Sequence, residues 1–133
     1  MRSDTRTISI DAAPQSVFQF VADPQNLPRW AVGFAKKVAR NGDRWIVTTG
    51  NGEVSLRIAA DEQTGVVDFY MTFGSGLDAV AASRVIQRGD RTEYVFTQFQ
   101  PPHMSDELFF MNVRTVVHEL TVLKSLLEVS CPL

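Results

Sequence analysis

What most limits the fold of this chain is the train of turn signals between Phe34 and Gln100. Asn41-Gly42-Asp43, Gly50-Asn51-Gly52, Gln63-Thr64-Gly65, Gly74-Ser75-Gly76 and Arg88-Gly89-Asp90 cut that stretch into pieces of strand length. Glycine and asparagine at such points supply the backbone freedom that tight hairpins need. The pieces Phe34–Arg40, Arg44–Thr49, Glu53–Ala60, Val66–Phe73, Leu77–Gln87 and Thr92–Gln100 therefore read as six consecutive strands. Short connections keep neighbours antiparallel, because a parallel pair needs a long crossover.

The flanks of this meander read differently. Thr5–Ile10 alternates, with Ile8 and Ile10 on one face, and forms a first strand. Asp11 offers a cap and Pro14 suits a first helical turn, where its missing N–H would be unpaired in any case. Val17, Phe18, Val21 and Ala22 then give helical spacing, so Pro14–Ala22 is a short helix, and Asp23-Pro24 breaks it before a second short turn through Leu27 and Trp30. Pro101-Pro102 ends the strands, and Ser105 with Asp106 and Glu107 marks a helix N-terminus. From Ser105 to Glu128, Phe109, Val113, Val116, Leu120, Leu123 and Leu127 fall on one seam, flanked by Phe110 and Val117, with His118 opposite. The order predicts an α+β domain spanning residues 1–133: a seven-stranded antiparallel curved sheet around a long C-terminal helix, with two short helices after the first strand. Wherever side chains fail to close the space between sheet and helix, a gap remains, and that gap is the candidate site.

Composition supports one core and removes several partners. A chain of 133 residues that is 44% hydrophobic fits a single domain. A formal charge of -2 provides no field for nucleic acid or an acidic membrane surface. No apolar stretch approaches the roughly 20 residues of a membrane span, and Met1–Asp11 is too charged for a secretory leader. The single cysteine, Cys131, has no internal disulfide partner. These points predict a soluble cytoplasmic protein.

The segment Val17–Trp30, VF-x-F-V-A-D-P-x-N-L-P-x-W, resembles the opening of the SRPBCC superfamily, which includes START-type lipid carriers, plant pathogenesis-related allergens and polyketide cyclase/dehydrases. Gly65-Val66-Val67-Asp68, Ser83-Arg84-Val85-Ile86, Phe96–Glu107 and Leu123-Lys124-Ser125-Leu126-Leu127-Glu128 are similar to a bacterial polyketide-cyclase-like branch. The resemblance spans the chain and implies the helix-grip architecture. In that branch the position after Asp68 is often His, whereas this chain has Phe69. The resemblance therefore implies binding more than catalysis.

The residues agree on little conventional catalytic equipment. Two His and one Cys without H-x-x-x-H or C-x-x-C spacing predict no metal site and no cofactor. Gly74-Ser75-Gly76 and Gly50-Asn51-Gly52 lie between strands, where they make turns rather than a nucleophile elbow or a phosphate cradle. His103, at the handover from sheet to helix, could act as an acid or base at the mouth of the gap, although its simpler reading is an exposed loop residue. Tyr94 and Asp68 are the other acid/base candidates, and Asp68 shares with Tyr70 the strand face opposite Phe69.

The wall of the gap is better specified. Val54, Leu56 and Ile58, and Val67, Phe69, Met71 and Phe73, alternate toward the helix. On the last two strands both faces are partly apolar, leaving Ser83 with Val85 or Arg84 with Ile86 inward, and Tyr94, Phe96 and Gln98 or Val95, Thr97 and Phe99. The set Tyr94, Phe96 and Gln98 is preferred. With Trp30 closing one end and Phe109, Asn112 and Val113 on the helix, these residues form the expected site. The expected function is binding or carrying a small apolar or aromatic molecule. A polyketide cyclase, aromatase or dehydratase using one acid/base, and a co-chaperone-like interaction module that dimerises through Val122 and Met111, are the alternatives.

Overall fold

The computed structural model describes residues 2–129, so Cys131 lies outside the described residues. Strand β1 (Ser3–Ile10) leads into α1 (Pro14–Val21), a 3-10 turn (Pro24–Asn26) and α2 (Leu27–Trp30). Strands β2 (Lys37–Asn41), β3 (Arg44–Thr49), β4 (Gly52–Asp61), β5 (Val66–Phe73), β6 (Asp78–Arg88) and β7 (Arg91–Phe99) follow, and α3 (Asp106–Val129) completes the chain. The seven strands form one sheet in the order β1-β7-β6-β5-β4-β3-β2, antiparallel throughout. The short helices carry the chain from one sheet edge to the other, so the meander from β2 returns β7 to pair with β1, from Ser3↔Phe99 to Ile10↔Thr92.

Local chemistry accounts for most of these boundaries. Pro14 begins α1, but the residue ahead of it is Ala13, with no side-chain cap, and the Asp11 carboxylate lies instead 3.5 Å from Arg91. The expected Asp11 cap is thus corrected: with Pro14 as the first helical residue, Asp11 is too far back along the chain to reach the helix. Asp23 Oδ1 accepts the Gln25 N–H at 3.0 Å and starts the 3-10 turn. Ser105 Oγ accepts the Leu108 N–H at 3.1 Å, as its position before Asp106 and Glu107 predicts. Strand β2 begins at Lys37 rather than Phe34, because the N–H groups of Phe34 and Ala35 donate to the Ala31 carbonyl and close a turn.

Gly65 requires its glycine. Its φ is +79°, and a Cβ there would stand 2.1 Å from the Val85 carbonyl oxygen, whose residue donates its N–H to Gly65 O at 2.8 Å. This close approach locks the β4–β5 turn against β6.

Helix α3 lies over the sheet with β1 and α2 as its nearest partners. Leu120, Leu123 and Leu127 join a contiguous core with Ile10, Val17, Val21, Leu27, Trp30, Val47, Leu56, Val67, Val85 and Tyr94. The first half of the seam differs: Phe109 and Val113 are buried yet stand outside that core. Phe110 and Val117, which flank the seam, are exposed.

Candidate functional site

The sheet register settles which faces point toward α3. Ile8 opposes Tyr94, Val85 opposes Tyr94 from the other side, and Ser83 opposes Phe96, so Tyr94, Phe96 and Gln98 share a face with Ser83 and Val85. Phe69 and Met71 continue that face across β5, opposite Ala81 and Ala79. The β6 residues on this face, Ala79 and Ala81, are small. Aromatic rings line the face beside them: Trp30 meets Tyr94 edge-on at 6.5 Å between centroids, Tyr94 lies 6.4 Å from Phe96, and Phe96 lies 6.2 Å from Phe69. Trp30, supplied by a four-residue helix, thus joins a row built by two strands, β7 and β5.

Phe109, Asn112 and Val113 belong to the half of α3 that stands outside the contiguous core. Asn112 is half-buried and its amide reaches only the Met104 sulfur at 3.9 Å, a weak contact that leaves most of its hydrogen-bonding capacity unused. Gln100 secures this end of the helix, with Nε2 donating to the Met104 carbonyl at 2.8 Å and to Asp106 Oδ1 at 2.9 Å. Met71, Phe96 and Gln98 are only partly covered, unlike Tyr94 and Phe69.

Three polar atoms in this region are buried without a hydrogen-bond partner: Trp30 Nε1, Tyr94 Oη and Gln98 Nε2. The Ser83 hydroxyl is a polar neighbour of Tyr94, but its proton goes to the Val67 carbonyl at 2.6 Å. Burial pushes the Tyr94 phenol well above the ordinary tyrosine range, so it stays protonated at any physiological pH.

The other acid/base candidates lie apart. Asp68 is on the outer face of β5, opposite in parity to Phe69, and so does not share a site with Tyr94. His103 is exposed in the Pro101–Met104 turn, where Met104 donates its N–H to the Pro101 carbonyl at 3.2 Å and His103 takes a φ of +77°. His118 is exposed, and of the two residues considered for dimer formation only Met111 is, since Val122 is partly covered against the core.

One acid was missed. Glu119 is buried on α3, its Oε2 accepting the Gly33 N–H at 3.0 Å and the Phe34 N–H at 3.1 Å. Burial pushes its carboxyl up to about 7, while the two backbone donors pull it partly back. Glu119 follows Val116 by three residues and precedes Leu123 by four, a spacing that places it on the buried stripe. A lone acid in a helix otherwise reads as solvated.

A separate cleft of about 460 Å³ opens where Ser9–Asp11, the β6–β7 turn and Lys124 meet. Its charged groups pair with one another: Arg91 with Asp11, Arg88 with Glu93, and Lys124 with the nearby Glu128. Among the described residues, no three His, Cys, Asp or Glu side chains are grouped to hold a metal ion, and no helix is long and apolar enough to cross a membrane.

No protein-family model matches the sequence, and no curated protein matches it. Solved structures do match its shape. A protein from Mesorhizobium loti aligns with a TM-score of 0.79 at 12% identity, over 98% of this chain and 100% of that one. The Aha1 dimer from Colwellia psychrerythraea gives 0.75 at 16% identity, over 99% and 100%. The ZhuI aromatase/cyclase from Streptomyces sp. R1128 gives 0.72 at 17% identity, over 96% and 93%. The chain shares the helix-grip fold of these structures, the fold its motifs led one to expect.

Proposed function

We propose that this protein binds a small apolar or aromatic molecule between the first half of α3 and the concave face of the sheet. Phe69, Met71, Phe96 and Gln98 would form the sheet wall and Phe109, Asn112 and Val113 the helix wall, with Trp30 and Tyr94 at the inner end. The observation that carries this reading is the divided helix seam: Leu120, Leu123 and Leu127 are in the core, whereas Phe109 and Val113 are buried without joining it. Apolar walls with a few converging polar groups are the usual make-up of a small-molecule site.

A second reading, an aromatase/cyclase-type enzyme as ZhuI is named, draws on the buried, protonated Tyr94 hydroxyl as a proton donor. With Asp68 outside and His103 at the surface, such chemistry would rest on this single acid and on the shape imposed on the substrate. Binding is common to both readings, so it is tested first. Val113→Trp fills the space with a large ring. It should abolish uptake of the uncharged apolar dye Nile red while shifting the denaturant midpoint little, whereas overpacking a filled core costs about 1–3 kcal/mol. Strong destabilisation, with no dye bound by the parent protein, would show that no cavity exists and would turn attention to the exposed surface of α3 around Met111.

A further inference from the structure

The cleft of about 460 Å³ between Ser9–Asp11, the β6–β7 turn and Lys124 is made of groups that the proposed apolar site does not use. It lies against the half of α3 away from Phe109 and Val113, and sets Arg88, Arg91 and Lys124 against Asp11 and Glu93. Ile10 is its one apolar side chain and is itself buried, so the walls offer charges, hydroxyls and backbone in place of hydrophobic surface.

The two arginines stand in an arrangement that the fold alone does not explain. Arg88 and Arg91 are partners directly across the β6–β7 hairpin, whose turn holds Gly89 at a φ of +63°. Like charges opposite one another on neighbouring strands repel. Each arginine reaches a carboxylate only at long range, Arg88 to Glu93 at 3.6 Å and Arg91 to Asp11 at 3.5 Å, well beyond the roughly 2.7–2.9 Å of a charge-assisted hydrogen bond. Both side chains are 68% exposed, so their N–H donors are open to an incoming anion.

The acids, by contrast, are mostly engaged with the protein. Glu93 is only 20% exposed and accepts the Ser9 hydroxyl at 2.6 Å. Glu128, beside the cleft, accepts from Lys124 Nζ at 2.6 Å and from the Asp11 N–H at 2.8 Å. Asp11 differs: its carboxylate is 70% exposed, and it can accept a hydrogen bond from a ligand hydroxyl.

The geometry points to a site for a phosphate monoester of a hydroxyl-bearing molecule, its phosphate held between Arg88 and Arg91 and a hydroxyl received by Asp11. Such a phosphate carries nearly two negative charges at neutral pH, which two guanidinium forks can share through paired N–H donors. A single carboxylate brings one charge and leaves the arginine repulsion half answered. A bare phosphate ion would leave most of the cleft empty and would meet Asp11 only as a like charge.

Calorimetric titration of the full chain at low ionic strength with glucose 6-phosphate, glucose and inorganic phosphate is the test. Glucose 6-phosphate should bind about tenfold or more tighter than inorganic phosphate, and glucose should not bind. Arg88→Gln and Arg91→Gln should each weaken the ester about tenfold. Asp11→Ala should narrow the ester's advantage over inorganic phosphate several-fold. Each arginine exchange removes a like-charge contact together with an exposed ion pair of little worth, so both variants should melt about as high as the parent. Arg88→Lys, which keeps the charge and loses the fork, should bind the ester with intermediate affinity. Equal affinity for the ester and inorganic phosphate would overturn the assignment to an ester. If no phosphate binds, or if ester binding is the same in both Gln variants as in the parent, the site itself is overturned. Uptake of Nile red reports on the apolar site separately and is expected to be unchanged by the ester.

Discussion

Glu119 holds the Gly33–Phe34 backbone to α3 through one oxygen, leaving its other oxygen to carry a proton. Its folded carboxyl is raised to about 7 from an ordinary value of 4.5, so between these pH values the folded protein binds more protons than the unfolded chain. Stability contributed by this group is therefore complete below pH 4.5, declines as pH rises, and is lost above pH 7. Glu119→Gln keeps an oxygen for both N–H donors and removes the ionisation. The variant should match the parent near pH 4.5 and exceed it above pH 7 by up to about 3 kcal/mol, as urea titrations at both ends will show. An unchanged pH slope would mean that Glu119 ionises freely in the fold. At Gly65 a side chain has no such latitude: Gly65→Ala would bring a methyl to 2.1 Å from the Val85 carbonyl at a positive φ, and should lower the denaturant midpoint by the equivalent of about 2 kcal/mol or more.

At the scale of the element, the two halves of α3 pack differently. Leu123 is wholly buried in the contiguous core, so Leu123→Ala should cost about 2–5 kcal/mol. Val113 is nearly as well covered but lies outside that core, and if the proposed site lies beside it Val113→Ala should cost about 1 kcal/mol or less. Denaturant curves of the two variants measure the difference directly, and equal losses would mean a uniformly packed helix. The same division explains the local anchors. Ser105 and Gln100 fix the first turn through side-chain hydrogen bonds, supporting the half of the helix that packing supports least. Ser105→Ala should accordingly remove about 1 kcal/mol.

Across the whole molecule, stability comes from an unbroken antiparallel ladder and one apolar core that unites all seven strands' layer with the three helices. The pairing of β1 with β7 joins the two ends of this arrangement, and no described group of side chains is placed to add a metal to it. Dialysis against a chelator should then leave the melting temperature unchanged. A fall of several degrees that zinc reverses would reveal ligands outside this account.

Turn chemistry and periodicity are local properties, and they were enough to place the strands of the meander within a few residues and to identify the α3 seam. The return of β7 to pair with β1 joins residues far apart in the chain and leaves no local mark. What the chain could not declare locally were the contacts made across long separations. The last two strands carry apolar residues on both faces, and only the pairings Ile8↔Tyr94 and Val85↔Tyr94 turned Tyr94, Phe96 and Gln98 inward. Strand β2 began late because Phe34 gave its N–H to Ala31 and to Glu119, the latter 85 residues away. Trp30, Tyr94 and Gln98 became a row of unpartnered donors only when a short helix was laid on a strand. Each of these outcomes depends on which groups lose water together, and desolvation is decided by the assembled tertiary structure, not by the spacing of residues along the chain.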